Sequence, residues 1–231
     1  MGVDLNISIC IPTWEQYGFG RKFLRELLTS IKKQTFTNYN VIISDHSESD
    51  GIEEILSEFD MDFIYVKNET KRGNGPANTN NALKYANGEI IKVMFQDDLF
   101  VNNDALQLIH DTYINNDCGW LVSGCNHTTD GKTFSREMVP SWNDKILEGV
   151  NTISSPSVLS FKNNNILYFD EKLVMLMDCE YYHQLFLQYG KPFVLPNILI
   201  SNRTHKHQIS STYSGNLNDE IKYVKDKYDN R

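Results

Sequence analysis

Four short runs rich in β-branched and aromatic residues, at 7–11, 41–43, 63–66 and 90–95, alternate in the first hundred residues with stretches of helical periodicity. Between the first two, Phe23, Leu24, Leu27, Leu28 and Ile31 recur at the spacing of one helix face, with charged residues between them. Ile52, Ile55, Leu56 and Phe59 repeat the pattern, and Pro76 suits the first turn of a third helix running to about residue 86. Parallel strands need crossovers of a dozen or more residues, and such crossovers are almost always right-handed. The expected fold is therefore α/β, a mostly parallel sheet flanked by helices.

After Asp98 the regularity weakens. A helix at 105–114, a strand near 120–123, a polar and turn-prone segment at 126–155 containing Trp142, and a strand at 158–161 are expected, then a helix at 178–188, a strand at 193–200 and an amphipathic tail helix after Leu217. No linker-like stretch, repeat or low-complexity tract divides the chain, so residues 1–231 read as one domain.

The net charge of −8 argues against general nucleic-acid binding, which needs a basic face. A phosphorylated ligand would need local help from a metal or a few placed cations. Cys10, Cys118, Cys125 and Cys179 form no CxxC pair and read as buried reduced thiols. The first six residues carry an acid and lack a basic region, and no run approaches transmembrane length, so a soluble cytoplasmic protein is expected.

The fourth strand run ends in Gln96-Asp97-Asp98. Open α/β sheets hold ligands at the carboxyl ends of their strands, and paired aspartates are hard oxygen ligands suited to Mg²⁺ or Mn²⁺ on a phosphate. The alternative is that these aspartates open a turn and cap the next helix. The first turn, Pro12-Thr13-Trp14-Glu15-Gln16, carries no dinucleotide or P-loop fingerprint, and Gly73-Asn74-Gly75 lacks the rest of one.

Four segments in order resemble the family 2 glycosyltransferases of the GT-A fold. Ile7-Ser8-Ile9-Cys10-Ile11-Pro12-Thr13-Trp14 with Gln34-Thr35 looks like their opening strand and helix, and Val41-Ile42-Ile43-Ser44-Asp45 through Asp50-Gly51 like their second strand and turn. Asn80 through Gly88-Glu89 looks like their "Nxgi..A.GE" stretch. Gln96-Asp97-Asp98 stands at their DxD motif, with Gln96 at its first acid and Glu15 where the family commonly has Asn. Further on, Met175 through Leu185 resembles the "gEDydlwlRl" helix start, with Met177 in place of the first acid. Arg203 through Ser210 resembles "yRxHxxsiS".

The resemblance implies a metal-dependent, inverting glycosyltransferase using a nucleotide-diphosphate sugar, most readily a UDP-sugar, with a carbohydrate or glycoconjugate acceptor. Residues 1–100 would be the nucleotide-sugar half and 101–231 the acceptor half. Pro12, Thr13 and Trp14 would wall the base, Asp45 would accept from its imide N–H, and Arg72 would meet the diphosphate. Glu15, Asn80, Gln96 and Asp97 complete the donor side. Asp98 would bind Mn²⁺ or Mg²⁺ with His205, or His207 in its stead. Asp178 would be the catalytic base, with Glu180 as the alternative; a carboxylate there can also cap the helix. A nucleotidyltransferase lacks support at the first turn, whereas a binding-only relative would suit the replacements at Gln96 and Met177.

Overall fold

The computed structural model describes residues 5–229; four of the six amino-terminal residues read above for a basic region lie outside them. The four expected strands form as β1 (Ile7–Thr13), β2 (Tyr39–Asp45), β3 (Phe63–Lys67) and β4 (Ile90–Val93). They pair in parallel in the order β3-β2-β1-β4. Helices α1 (Gly20–Lys32), α2 (Gly51–Leu56) and α3 (Gly75–Leu83) make the crossovers, and α1 buries the expected stripe of Phe23, Leu24, Leu27, Leu28 and Ile31. Pro76 sits in the first turn of α3, capped by Asn74 Oδ1 accepting from Ala77 N–H at 2.8 Å. Because β2 and β4 flank β1 on opposite sides, the strand order reverses at β1, and a crevice opens beyond the carboxyl ends of β1 and β4.

The second half extends the same sheet with mixed pairing. It contributes β5 (Leu99–Phe100), β6 (Trp120–Thr128), β7 (Ser135–Met138), β8 (Leu159–Lys162) and β9 (Phe193–Arg203). The full order is β3-β2-β1-β4-β8-β6-β9-β5, with β7 on β6. Strand β8 pairs antiparallel with both β4 and β6, while β6 and β9 are parallel. Helices α4 (Ala105–Asn115), α5 (Met177–Tyr189), the short α6 (Ile209–Thr212) and α7 (Leu217–Asp229) complete the chain. Strands β5 and β7 and helix α6 were not expected. Each is four residues or fewer, too short to show a period.

Helix α7 closes on α5. Glu220 accepts from the backbone N–H groups of Val174, Met175 and Leu176 at 3.2, 3.0 and 2.9 Å, placing a carboxylate at the amino end of α5. One turn further, the fully buried Glu180 accepts from Lys227, Tyr228 and Gln184. The four cysteines are free thiols, three of them buried. Among the described residues no helix is long and apolar enough to cross a membrane.

Candidate active site

The crevice at the strand-order reversal is a cavity of about 800 Å³. Its floor is the chain leaving β4. Gln96 is buried and pairs with the Trp14 backbone in both directions: Trp14 N–H donates to Oε1 and Gln96 Nε2 donates to Trp14 O, both at 2.9 Å. Gln96 Nε2 also reaches Gln16 Oε1 at 2.6 Å. The residue at the first acid of the motif therefore clamps the loop after β1, a task a carboxylate could not perform because it has no donor. Trp14 stands at the cavity edge, 39% exposed, edge-on to Tyr17 at 5.2 Å.

Asp97 and Asp98 diverge. Asp97 Oδ2 meets His205 Nε2 at 3.0 Å, and Gln16 Nε2 approaches both at 3.4 and 3.2 Å. Asp98 is buried; its Oδ1 accepts from Arg203 N–H at 2.8 Å and its Oδ2 lies 3.3 Å from Ser155 Oγ. Burial, with the adjacent Asp97 charge, pushes the Asp98 carboxyl up to about 7. Neither aspartate caps α4, whose cap position is Asp104. The Arg203 guanidinium donates from Nε to Asp97 O at 2.8 Å, pairs with Glu26 and lies 4.5 Å from the Phe23 ring centroid. Behind the floor, the fully buried Lys92 donates to the carbonyls of Val93, Ser157 and Leu159. Burial lowers its pKa to about 7, with Asp98 opposing the fall.

On the opposite wall stands Asp178, in the first turn of α5. Leu176 occupies the cap position without a side-chain bond, so Asp178 is not the cap. Its Oδ1 accepts from Cys179 N–H and its Oδ2 from Asn151 Nδ2, each at 2.7 Å. Burial raises it from an ordinary 3.8 to about 6, with those hydrogen bonds opposing the rise.

Pro12, Trp14, Gln96, Asp97, Asp98, Asp178 and His207 thus line one cavity. Several expected residues do not. Thr13 and Asp45 are buried against each other, and Asp45 is already engaged by Ser47 N–H, Tyr65 Oη and Lys67 at 2.9, 3.0 and 3.5 Å. Glu15 accepts from Glu48 N–H and Ser49 N–H, holding the turn after β2. Asn80 clasps the backbone of Phe169, accepting from its N–H and donating to its C=O. Arg72 lines a separate cavity of about 300 Å³ beside the first. His205 turns to Asp97, whereas His207 lies 4.8 Å from the Tyr17 ring. Glu180, the alternative base, is committed to α7.

Gln16, Asn151, Ser154, Ser155 and Asn202 were missed. Gln16 has φ 47° and Ser154 φ 103°, conformations that side-chain-bearing residues rarely adopt and that nothing in their identities announces.

Among the described residues no three His, Cys, Asp or Glu side chains converge as a ready-made metal cage. Asp97 and Asp98 nonetheless fit a divalent ion shared with a diphosphate, which uses one or two carboxylates and phosphate oxygens. Asp98 is buried and Asp97 only partly so, and burial together with the neighbouring Asp97 charge disfavours the ionised Asp98, a cost that a bound cation would offset.

The model of the family described as Glycosyl transferase family 2 matches residues 8–174. Over 101 residues the chain is 30% identical to the Escherichia coli UDP-Glc:alpha-D-GlcNAc-diphosphoundecaprenol beta-1,3-glucosyltransferase WfgD, covering 43% of this chain and 38% of that one. The crystal structure of S. aureus TarS 1-349 in complex with UDP-GlcNAc superposes with a TM-score of 0.75 at 18% identity, over 95% of this chain and 64% of that one. The mannosyltransferase PcManGT from Pyrobaculum calidifontis, in complex with GDP-Man and Mn²⁺, gives 0.63 at 16% identity, over 86% and 56%. The chain spans less than two thirds of the length of each of the three.

Proposed function

Because the chain belongs to glycosyl transferase family 2, we propose that it transfers a sugar, with inversion, from a nucleotide-diphosphate donor to an acceptor hydroxyl on a glycan or glycoconjugate. The observation that carries this is the meeting of Trp14, the Asp97-Asp98 strand end and Asp178 around one cavity. The UDP-sugar named as donor of the E. coli relative, and the UDP-GlcNAc bound by TarS, support uridine as the base. We place the reaction in the cytoplasm, in keeping with four unpaired thiols.

In this reading Trp14 stacks on the base while Gln96 holds its backbone. Asp45, at the end of β2, accepts from the base once its bonds to Tyr65 and Lys67 rearrange. Asp98, with Asp97, would hold Mn²⁺ or Mg²⁺, which neutralises charge on the departing diphosphate when bound. Asp178 takes the proton of the acceptor hydroxyl as its oxygen bonds to the anomeric carbon. The bond from that carbon to the diphosphate oxygen breaks on the opposite face, and the electron pair leaves with the nucleotide. A carboxyl lifted to about 6 is a better proton acceptor than a surface aspartate and is still ionised at neutral pH. Alignment of the two substrates across the cavity supplies much of the remaining rate.

Calorimetry of UDP with and without Mn²⁺ tests the donor side. Binding is expected to need the ion and to be lost in Asp98→Ala; equal affinity in the variant and in chelator would refute the metal-diphosphate site.

A further inference from the structure

The segment 151–155 runs between the two carboxylates that face each other across the cavity. The Asn151 amide is fully used. Its Nδ2 donates to Asp178 Oδ2 at 2.7 Å and to Ser154 O at 3.0 Å, and its Oδ1 accepts from Ile153 N–H and Ser154 N–H at 2.9 and 3.0 Å. Ser154 is held at φ 103°. A residue persists in such a conformation only where its surroundings over-determine it. Here Tyr182 Oη donates to Ser154 O at 3.0 Å and Asn202 Nδ2 donates to Ser154 Oγ at 2.7 Å. Asn202 Oδ1 lies 2.9 Å from Ser155 Oγ, which lies 3.3 Å from Asp98 Oδ2. A continuous path thus joins Asp98 to Asp178 through Ser155, Asn202, Ser154 and Asn151.

We propose that Asn151 is the positioning residue for Asp178, and that the 151–155 turn is a strut fixing the proton-accepting carboxylate relative to the diphosphate end of the cavity. This rests on the reading of Asp178 as the base. With Oδ1 tied to Cys179 N–H and Oδ2 to Asn151, the carboxylate cannot rotate about its last bond. Each oxygen keeps a lone pair for the incoming hydroxyl. The titratable groups packed on Asp178 are the Cys179 thiol and the Tyr182 hydroxyl, both pushed up by burial and so uncharged. The Asn151 amide, beside the weaker donor of the Cys179 thiol, is the side-chain amide donor that the structure sets against the charged form.

Two variants separate this role from turn formation. Asn151→Ala removes the whole amide. Asn151→Asp keeps an oxygen for the N–H groups of Ile153 and Ser154 but loses the donor and sets a second carboxylate against Asp178. Carbon-13 carboxyl NMR of the full chain follows the Asp178 titration, its resonance assigned by its disappearance in Asp178→Asn. The midpoint is expected to rise by about one pH unit in Asn151→Ala and further in Asn151→Asp. The acid limb of UDP-glucose hydrolysis, with water as acceptor, should move with it, while UDP affinity stays unchanged. If Asp178→Asn is inactive and neither Asn151 variant moves the midpoint or the limb, the positioning role is wrong. A normal Asn151→Asp beside a shifted Asn151→Ala makes the amide a turn former and overturns it as well. If Asp178→Asn hydrolyses UDP-glucose at the wild-type rate, it is the assignment of the base that fails.

Discussion

Asp178→Asn should make the protein more stable and less active at once. The carboxyl is lifted from 3.8 to about 6 by burial. At 1.36 kcal/mol per pH unit, that disfavours the ionised form in the folded state by about 3 kcal/mol. The carboxyl faces the cavity, and solvent screening reduces this to about 1.5–2 kcal/mol. Because the folded-state value is raised, the folded chain holds this proton more tightly than the unfolded one. The stability it lends is full below about pH 4 and is lost as pH rises through about 6. Asparagine cannot ionise and keeps an acceptor for Cys179 N–H, but it forfeits the bond from Asn151, about 0.5–1 kcal/mol. The net expectation at pH 8 is a gain of about 1 kcal/mol, or about 2–4 °C in Tm for a chain of this size. At pH 4.5 the gain should vanish or reverse. Urea denaturation of both proteins at the two pH values measures it. Donor hydrolysis should fall by ~10²–10⁴ in the same variant. A stability change independent of pH, or near-normal turnover, would refute the reasoning.

Three further outcomes are expected. Gln96→Asp, which restores the acid of the family motif, should not tighten Mn²⁺ binding and should weaken UDP on the order of tenfold, because the Trp14 clamp loses its donor; calorimetry reads both. Asp45→Asn should weaken uridine nucleotides by about 1.5–3 kcal/mol, the worth of a hydrogen bond to a charged group, with the circular dichroism spectrum unchanged. Lys227→Ala should destabilise the fold by about 3 kcal/mol in urea by stranding the buried Glu180, yet leave UDP affinity as it was.

Much of the first hundred residues was legible because their information is local. Apolar-rich runs such as Ile7-Ser8-Ile9-Cys10-Ile11 and the α1 stripe announce themselves by composition and period, and the parallel pairing then follows from the helical crossovers. The candidate site was legible where its cavity is lined from a strand end or a helix start, as by Gln96-Asp97-Asp98 and Asp178. Contacts made over long sequence distances were not. Nothing near Asn80 reveals that it clasps Phe169, and nothing near Glu180 reveals Lys227 and Tyr228. The 151–155 turn is polar, aperiodic and held by tertiary partners. Its sequence shows a loop, and only the fold shows what the loop holds.

The closure of α7 on α5 also bears on where the chain can be cut. The family match ends at residue 174, before Asp178 and well before α7. A fragment trimmed at that point would lack Asp178, the proposed base, and one trimmed at residue 216 would keep it. The second fragment would nonetheless strip Glu220 from three backbone N–H groups, leave Glu180 without its cation and uncover the pocket that buries Val224. A piece that keeps this packing therefore extends through the last helix, and a fusion partner or tag joined after residue 229 would be tethered to an element that grips the wall carrying Asp178.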